Sequence, residues 1–327
     1  PNMARLRTAA RLGLGVGAVC WYLDERGLIR PWRVVSHTLQ TPPVNIQLRV
    51  KASPPPIGCM EWPGGRVLLE WAMDPTHGVP RHGATVLEIG SGCGVTAIGL
   101  LLAQKAQRET EEEPRQSKSN PTRVLATDVC AESLQNLTHN ARMNGFQARS
   151  MVEASSEETG EQESAPGAEI TIGEWDASGG SKAVKALQSQ FGIHPSKITH
   201  VLGSDVVYHG GADPGLPATL ACLFQANPSC SVTLLLVDRF SGAAVAAVSH
   251  VAGVQPNTPL TPQLDPALVQ FQRRCQQHGL EVVEIPLDPA VKARVAARQS
   301  YAQRVRWALC GYWEGLLLYR VRPLPKQ

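Results

Sequence analysis

A short apolar run that breaks into a glycine-rich turn constrains this 327-residue chain more than any other stretch. Thr85 to Ile89 is β-branched and aliphatic, which predicts a buried strand, and Gly90, Gly92 and Gly94 predict a tight turn directly after it. Residues 95–105 then have the length and composition of a helix packed on a sheet. Because a helix N-terminus favours negative charge, this strand, turn and helix predict a nucleotide-type binding corner.

The spacing of the glycines distinguishes two classes of ligand for this corner, dinucleotides and S-adenosyl compounds. A dinucleotide fingerprint needs a third small residue three positions after its second glycine, and Val95 stands there instead. Glu88 lies two positions ahead of Gly90, which gives the pattern E-x-G-x-G-x-G. This pattern resembles the first motif of the S-adenosylmethionine methyltransferases and favours an S-adenosyl compound. Other nucleotide binders and plain turns also carry glycines after strands, so both remain alternatives.

Composition excludes several classes of protein. A hydrophobic content of 43% supports a true core, and a net charge of +3 indicates no global preference for nucleic acid or membrane. The eight cysteines are scattered without C-x-x-C spacing, so neither a zinc site nor a disulfide framework is indicated. We therefore expect a reducing compartment, cytoplasmic or nuclear, and no metal.

The N-terminal residues leave organellar targeting open as an alternative to the cytoplasm or nucleus. Arg5, Arg7 and Arg11 precede the apolar residues 12–23, which are too few to span a bilayer because that requires about 20. They could be the remnant of a targeting peptide or a segment packed on the domain, and Trp21 favours packing.

Two alternating runs follow within residues 34–50, and they predict a strand pair ahead of the main fold. Pro54, Pro55 and Pro56 form a stiff linker. We therefore expect an N-terminal extension over residues 1–56 and a main domain over residues 57–327. That domain opens with Trp62 and a helix that begins near Gly65.

Two polar, acidic segments, residues 107–120 and 149–168, predict solvated insertions. Between them, residues 123–129 form a second predicted strand that ends on Asp128. Asp128 stands 34 positions after Gly94, or about 20 once the first insertion is left out. That is the spacing at which an acid reaches ribose hydroxyls in nucleotide-binding α/β folds. The alternative role is a cap for the helix predicted over residues 131–143.

Strands and helices continue to alternate along the chain. Further strands are predicted at residues 169–175, 198–207, 231–237, 280–285 and 315–321, with helices at residues 217–225 and 266–278. The last strand follows without a crossover helix. The pattern predicts an α/β fold with a doubly wound, mostly parallel sheet of seven strands and an antiparallel edge strand.

A basic segment lies between the final two strands. Residues 292–306 carry Lys292, Arg294, Arg298, Arg304 and Arg306. They predict a solvated helix face or, alternatively, a docking surface for an acidic partner.

Several motifs together resemble the protein-lysine methyltransferases of methyltransferase family 16, over roughly residues 57–321. They are Trp62, the E-I-G-S-G-C-G turn, Asp128, the asparagines Asn136, Asn140 and Asn144, Trp175, and G-S-D-V-V-Y from Gly203 to Tyr208. The resemblance implies a Rossmann-like fold with seven strands, S-adenosyl-L-methionine as cofactor, and transfer of a methyl group to a lysine of a protein. It also implies a monomer that needs no metal and no membrane.

The resemblance also implies a role for individual residues. The cofactor-binding residues would be Trp62, Glu88, Gly90, Ser91, Gly92, Asp128, Trp175, Asp176 and Ser204. Trp62 would be a wall of the cofactor site, Asp128 would accept from the ribose hydroxyls, and Trp175 and Asp176 would flank the adenine. Ser204, where relatives usually have alanine, would lie beneath the cofactor. Asp205 and Tyr208 would be catalytic and would face the target amine.

Three rival functions remain open on the sequence. A methyltransferase for base amino groups would be favoured by N-P-P-Y or D-P-P-Y after the fourth strand, whereas this chain has S-D-V-V-Y. The others that stay open are an N-methyltransferase for a small molecule or for another protein side chain, and a non-catalytic module that binds S-adenosylmethionine. A nicotinamide oxidoreductase is disfavoured by Val95.

Overall fold

A mixed β-sheet with helices on both faces forms the centre of the molecule. The computed structural model describes residues 32–40, 42–51, 57–77, 79, 83–110, 122–150, 169–207, 215–238, 265–299, 312–313 and 315–325. Its strands are β1 Trp32–Gln40, β2 Pro43–Lys51, β3 Thr85–Ile89, β4 Arg123–Asp128, β5 Ala148–Ser150, β6 Glu169–Glu174, β7 His200–Ser204, β8 Ser231–Val237, β9 Leu280–Ile285 and β10 Leu316–Pro323. Its helices are α1 Pro63–Ala72, α2 Val95–Thr110, α3 Ala131–Met143, α4 Ser181–Phe191, α5 Gly215–Ala226, α6 Pro266–Gln277 and α7 Pro289–Ala297.

The order of the strands confirms the predicted doubly wound α/β class. The sheet runs β5-β6-β4-β3-β7-β8-β10-β9, and β1 with β2 forms a separate antiparallel hairpin. The chain builds outward from β3 through β4 on one side and then returns to place β7 on the other side. Ligands of open α/β sheets bind outside the carboxyl ends of the strands at such a point of reversal.

The main sheet has eight strands in place of the predicted seven. The additional strand is β5, which pairs in parallel with β6 at one edge. It begins at Ala148 and extends into the acidic insertion predicted from residue 149. The final strand, β10, is antiparallel as expected, but it pairs with both β8 and β9 and so lies one position inside the sheet.

The helices divide between the two faces of the sheet. Buried side chains of α1, α2, α3 and α7 share one apolar core with Ile46, Leu48 and Val50 of the hairpin. Buried side chains of α4, α5 and α6 form a second core on the opposite face. Both faces of the parallel strands are therefore covered, which explains why those strands are almost continuously apolar.

Helix α3 holds the hairpin through a row of asparagines. Asn140 accepts the Arg49 N–H at 2.7 Å, and its amide donates to the carbonyls of Arg49 at 3.1 Å and Cys93 at 2.9 Å. Asn144 pairs in the same way with both backbone groups of Gln47. The amides thus replace a neighbouring strand along the outer edge of β2, which would otherwise have unpaired backbone groups.

The predicted boundary at residue 56 stays a prediction, because residues 52–56 lie outside the described part of the chain.

Part of the basic segment makes contacts within the protein, while Arg294 remains exposed. Lys292 Nζ donates to the carbonyls of Trp313 at 3.1 Å and Leu316 at 2.9 Å. Arg294 and Arg298 both bind the Glu70 carboxylate on α1, at 3.0 and 2.5 Å. Helix α7 therefore joins α1 to the loop ahead of β10. Arg304 and Arg306, together with the N-terminal segment 1–31, lie outside the described residues.

The first acidic insertion is shorter than predicted, because α2 continues through Thr110. Residues 111–121 and 151–168 lie outside the part of the chain that the structure describes. Among the described helices, none combines the length and the apolar character that crossing a bilayer requires.

Candidate functional site

Two turns meet at the point where the sheet reverses its order. The glycine turn follows β3, and Ser204 to Val206 follow the adjacent parallel strand β7. A Cβ atom placed on Gly90 would lie 2.9 Å from Val206 Cγ1, so the two turns are in direct contact and glycine is required. Gly90 also has φ +64°, which side chains disfavour. The carboxyl ends of β3 and β7 therefore enclose one corner.

The floor of the glycine turn is fixed by backbone contacts. Gly92 has φ +53°, and a Cβ there would lie 3.0 Å from the carbonyl oxygen of Gly58. The Ser91 N–H donates to the Thr127 carbonyl at 2.8 Å, and its hydroxyl donates to the Glu88 carbonyl at 3.4 Å. The turn is thus held from the β4 side and closed by the short 3-10 helix that starts at Ile57.

Asp128 links the glycine turn to the start of α3. One carboxylate oxygen accepts the Gly92 N–H and the other accepts the Cys130 N–H, each at 3.0 Å. Cys130 is itself the N-cap residue of α3, and its side chain makes no capping bond. Each carboxylate oxygen retains further acceptor capacity. The structure therefore shows that Asp128 bridges the glycine turn and the start of α3. Its role as an acceptor for ribose hydroxyls stays a prediction.

Glu88 is a buried carboxyl group at the end of β3, with 3% of its surface exposed. Burial raises the pKa of Glu88 to about 7, although hydrogen bonds with the side chains of Thr96 and Ser91 oppose that rise. Its Oε2 atom is buried without a hydrogen-bond partner among the described residues. Such an atom is costly unless it is protonated or meets a ligand group.

Trp175 and Asp176 follow β6 and make local contacts. The Trp175 side chain is buried, and its Nε1 donates to the Ala183 carbonyl of α4 at 2.9 Å. Asp176 is exposed, and its carboxylate accepts from the N–H and the hydroxyl of Ser178, both at 2.8 Å. Both residues reach the carboxyl edge of the sheet beside Asp128, since the Trp175 N–H donates to the Asp128 carbonyl at 3.2 Å. Their contact with an adenine ring stays a prediction.

The β7 turn carries the residues predicted to face the acceptor. Asp205 has φ +56°, and it is the one non-glycine residue with positive φ in the described ranges. Its N–H donates to the Leu235 carbonyl of β8 at 2.8 Å, which holds this conformation. The Ser204 Oγ atom is buried and has no hydrogen-bond partner within the described residues. Tyr208, the second predicted catalytic residue, lies outside them.

Sequence reasoning missed Tyr312, which lies against the predicted site. Its ring stacks on that of Trp62 with centroids 6.3 Å apart, and its hydroxyl accepts the Gly64 N–H at 3.2 Å. No sequence pattern around Tyr312 pointed to this contact, because the partners are 248 positions apart. Among the described residues, no group of three His, Cys, Asp or Glu side chains is arranged to hold a metal ion.

Comparison with known proteins identifies the segment that carries the glycine turn. Residues 42–164 match the family model described as lysine methyltransferase. This segment, a little over a third of the chain, is similar to that family.

The chain also matches curated proteins over a short stretch. The chain is 31% identical over 91 residues to the electron transfer flavoprotein beta subunit lysine methyltransferase of Rattus norvegicus, and 30% identical to that of Mus musculus. The match covers 28% of this chain and 29% of the length of each relative.

Solved structures with a more distant likeness include two methyltransferases. The S-adenosylmethionine-dependent methyltransferase of Agrobacterium tumefaciens is 12% identical, with 89% of this chain and 70% of that chain covered and a TM-score of 0.43. Magnesium protoporphyrin IX methyltransferase of Synechocystis PCC 6803, solved with bound S-adenosylhomocysteine, is 11% identical, with 80% and 84% covered and a TM-score of 0.40.

The cofactor of this family is S-adenosyl-L-methionine, which confirms the cofactor predicted from the glycine spacing and the resemblance. The corner fits such a group. The glycine turn presents backbone without side chains, and buried oxygen atoms of Glu88 and Ser204 lack partners among the described residues on either side of it. The family match favours an S-adenosyl compound over the dinucleotide alternative.

Proposed function

We propose that this chain is an S-adenosyl-L-methionine-dependent methyltransferase that methylates a lysine side chain of a protein. The observation that carries this proposal is the contact between the glycine turn and the left-handed Asp205 turn. A non-glycine residue in that conformation costs on the order of 1–3 kcal/mol and persists only where its surroundings enforce it. Because such strain concentrates at functional sites, its position against the cofactor corner supports a catalytic role.

The corner divides into a cofactor side and an acceptor side. On the cofactor side we assign Trp62, the turn from Glu88 to Gly92, and Asp128, with Trp175 and Asp176 beyond them and Ser204 beneath. Bound S-adenosylmethionine would supply a methyl group that is already activated by its sulfonium. The residues of the chain then have two tasks, alignment of the amine and exclusion of water.

On the acceptor side we assign Asp205 and, from the sequence, Tyr208. A free lysine has a pKa near 10.4 and must lose its proton before it can act as a nucleophile. A carboxylate at Asp205 can hold the incoming ammonium and orient it, and an aromatic ring at Tyr208 suits a methylated cation.

The lysine acceptor has support from the family segment and from the named activity of the rat and mouse relatives. Those relatives are methyltransferases of the electron transfer flavoprotein beta subunit, and the match covers less than a third of their length. The protein that this chain methylates is therefore left to experiment.

The test is to incubate the purified protein with methyl-deuterated S-adenosylmethionine and a proteome extract, and to map the labelled residue by mass spectrometry. We expect label on lysine, lost when Asp205→Asn replaces the wild type. Label on a small molecule, on nucleic acid or on another side chain would refute the lysine assignment. Binding of the donor without any labelled product would indicate the non-catalytic alternative.

A further inference from the structure

The ring of Tyr312 lies between the end of the sheet and the first turn of α1. It is 4% exposed, stacks on Trp62 at 6.3 Å and meets Trp313 edge-on at 6.2 Å. Aromatic pairs at these distances stabilise one another beyond the contribution of their burial. Trp62 precedes Pro63, the first residue of α1, so the contact fixes the tryptophan at the helix entrance.

The loop that carries Tyr312 is held in place by two independent devices. The Asp238 N–H donates to the Gly315 carbonyl at 2.7 Å, and a Cβ on Gly315 would lie 2.2 Å from the Asp238 carbonyl oxygen. Only glycine allows this approach between the loop and the end of β8. Lys292 of α7 then donates to the carbonyls of Trp313 in the loop and of Leu316 at the start of β10.

Tyr312 also sets the position of α1 against the β7 turn. Its hydroxyl accepts the Gly64 N–H, one of the first-turn donors that have no partner within a helix. A Cβ on Gly64 would lie 2.5 Å from Ser204 Oγ and 2.9 Å from the Tyr312 hydroxyl. The helix entrance, the end of β7 and the loop ahead of β10 therefore converge on one glycine.

We infer that Tyr312 is a positioning residue of the transfer site, which holds Trp62 and Gly64 in place so that Trp62 forms a wall of the cofactor site. The inference rests on the proposed function, because it assigns Tyr312 a role in the same corner. Lys292 supports it by fixing the loop. Tyr312 acts through Trp62, and so its loss should change cofactor affinity more than it changes the fold.

The test compares the affinity of S-adenosylhomocysteine for three variants by calorimetry, with thermal unfolding measured in parallel. Tyr312→Leu removes the stacking and should weaken binding about 10-fold, as the energy of an aromatic pair implies. Tyr312→Phe keeps the ring and should stay within about 3-fold of the wild type. Tyr319→Leu is the matched control, because Tyr319 is an equally buried tyrosine on β10 in the opposite core.

Equal weakening by Tyr312→Leu and Tyr319→Leu, or no weakening by Tyr312→Leu, would overturn the inference. If Tyr312→Leu does not fold, Lys292→Met carries the test, with an expected weakening of about 3-fold from the loss of its two hydrogen bonds. Wild-type affinity for Lys292→Met would then overturn it. A wild-type protein that binds no S-adenosylhomocysteine would instead contradict the proposed function itself.

Discussion

Burial changes the acid–base behaviour of Glu88 more clearly than that of any other carboxyl group near the glycine turn. Its pKa is raised from 4.5 to about 7, so the folded protein keeps this proton at pH values where the unfolded chain has lost it. Stability from this group is therefore full below pH 4.5 and declines as the pH rises from about 4.5 to about 7. The full effect amounts to about 3 kcal/mol.

Glu88→Gln should remove this pH dependence, because glutamine does not ionise. We expect the wild type to lose about 3 kcal/mol of unfolding free energy relative to the variant between pH 4.5 and pH 8. Urea unfolding at both pH values, without cofactor, measures the difference. Parallel curves for the two proteins would show that Glu88 is not buried as the structure has it.

Replacement of Asp128 tests whether this acid after β4 binds the cofactor or only holds the glycine turn. Asp128→Ala should weaken S-adenosylhomocysteine by about 1.5–3 kcal/mol, the scale for hydrogen bonds to a charged group. It should also lower stability, since the N–H groups of Gly92 and Cys130 lose their acceptor. Calorimetry on the folded variant separates these effects, and unchanged affinity would leave Asp128 a purely structural residue.

Among the elements, the attachment of the hairpin to α3 depends on amide side chains. Asn140→Ala should cost about 2–4 kcal/mol of unfolding free energy, because it removes three hydrogen bonds, one of them buried and two at the part-buried backbone of Arg49. Asn144→Ala also removes three hydrogen bonds, but at a more exposed site, so it is the matched control and should cost roughly half as much. Equal costs in chemical denaturation would contradict this account of the hairpin.

The sequence predicted those elements whose own residues determine them. The β8 and β9 strands and helix α3 have the predicted bounds, because apolar runs and a clear helical period end there in turn residues. The β5 strand was missed because it is only three residues long, two of them polar, and depends on pairing with β6. The position of β10 was missed because pairing order between distant strands is not a local property.

The candidate site likewise combines features that the sequence predicted with contacts between distant residues that it did not. The glycine turn and the β7 turn could be placed together from the order of the strands alone. The contact of Tyr312 with Trp62 could not, since it depends on how α7 and the loop ahead of β10 pack. The contacts of the basic segment within the protein could not be predicted either, because its carbonyl and carboxylate partners are distant in sequence.

At the scale of the whole molecule, the chain should tolerate loss of the first acidic insertion. Replacing residues 111–120 with a short Gly-Ser linker leaves α2 complete to Thr110 and keeps Thr122 ahead of β4. Loop length enters stability only logarithmically, so we expect a change of less than about 1 kcal/mol and nearly unchanged cofactor affinity. A collapse of the melting temperature would show that the segment is structural.

The central claim is that one corner of the sheet separates a cofactor side from an acceptor side. The Asp205→Asn variant tests it most directly, through the affinity for S-adenosylmethionine and the rate of methyl transfer measured on the same preparation. We predict nearly unchanged affinity with transfer reduced about 100-fold or more, since the lost carboxylate orients the acceptor and not the cofactor. Full turnover in the variant, or a loss of cofactor affinity that matches the loss of transfer, would contradict the account.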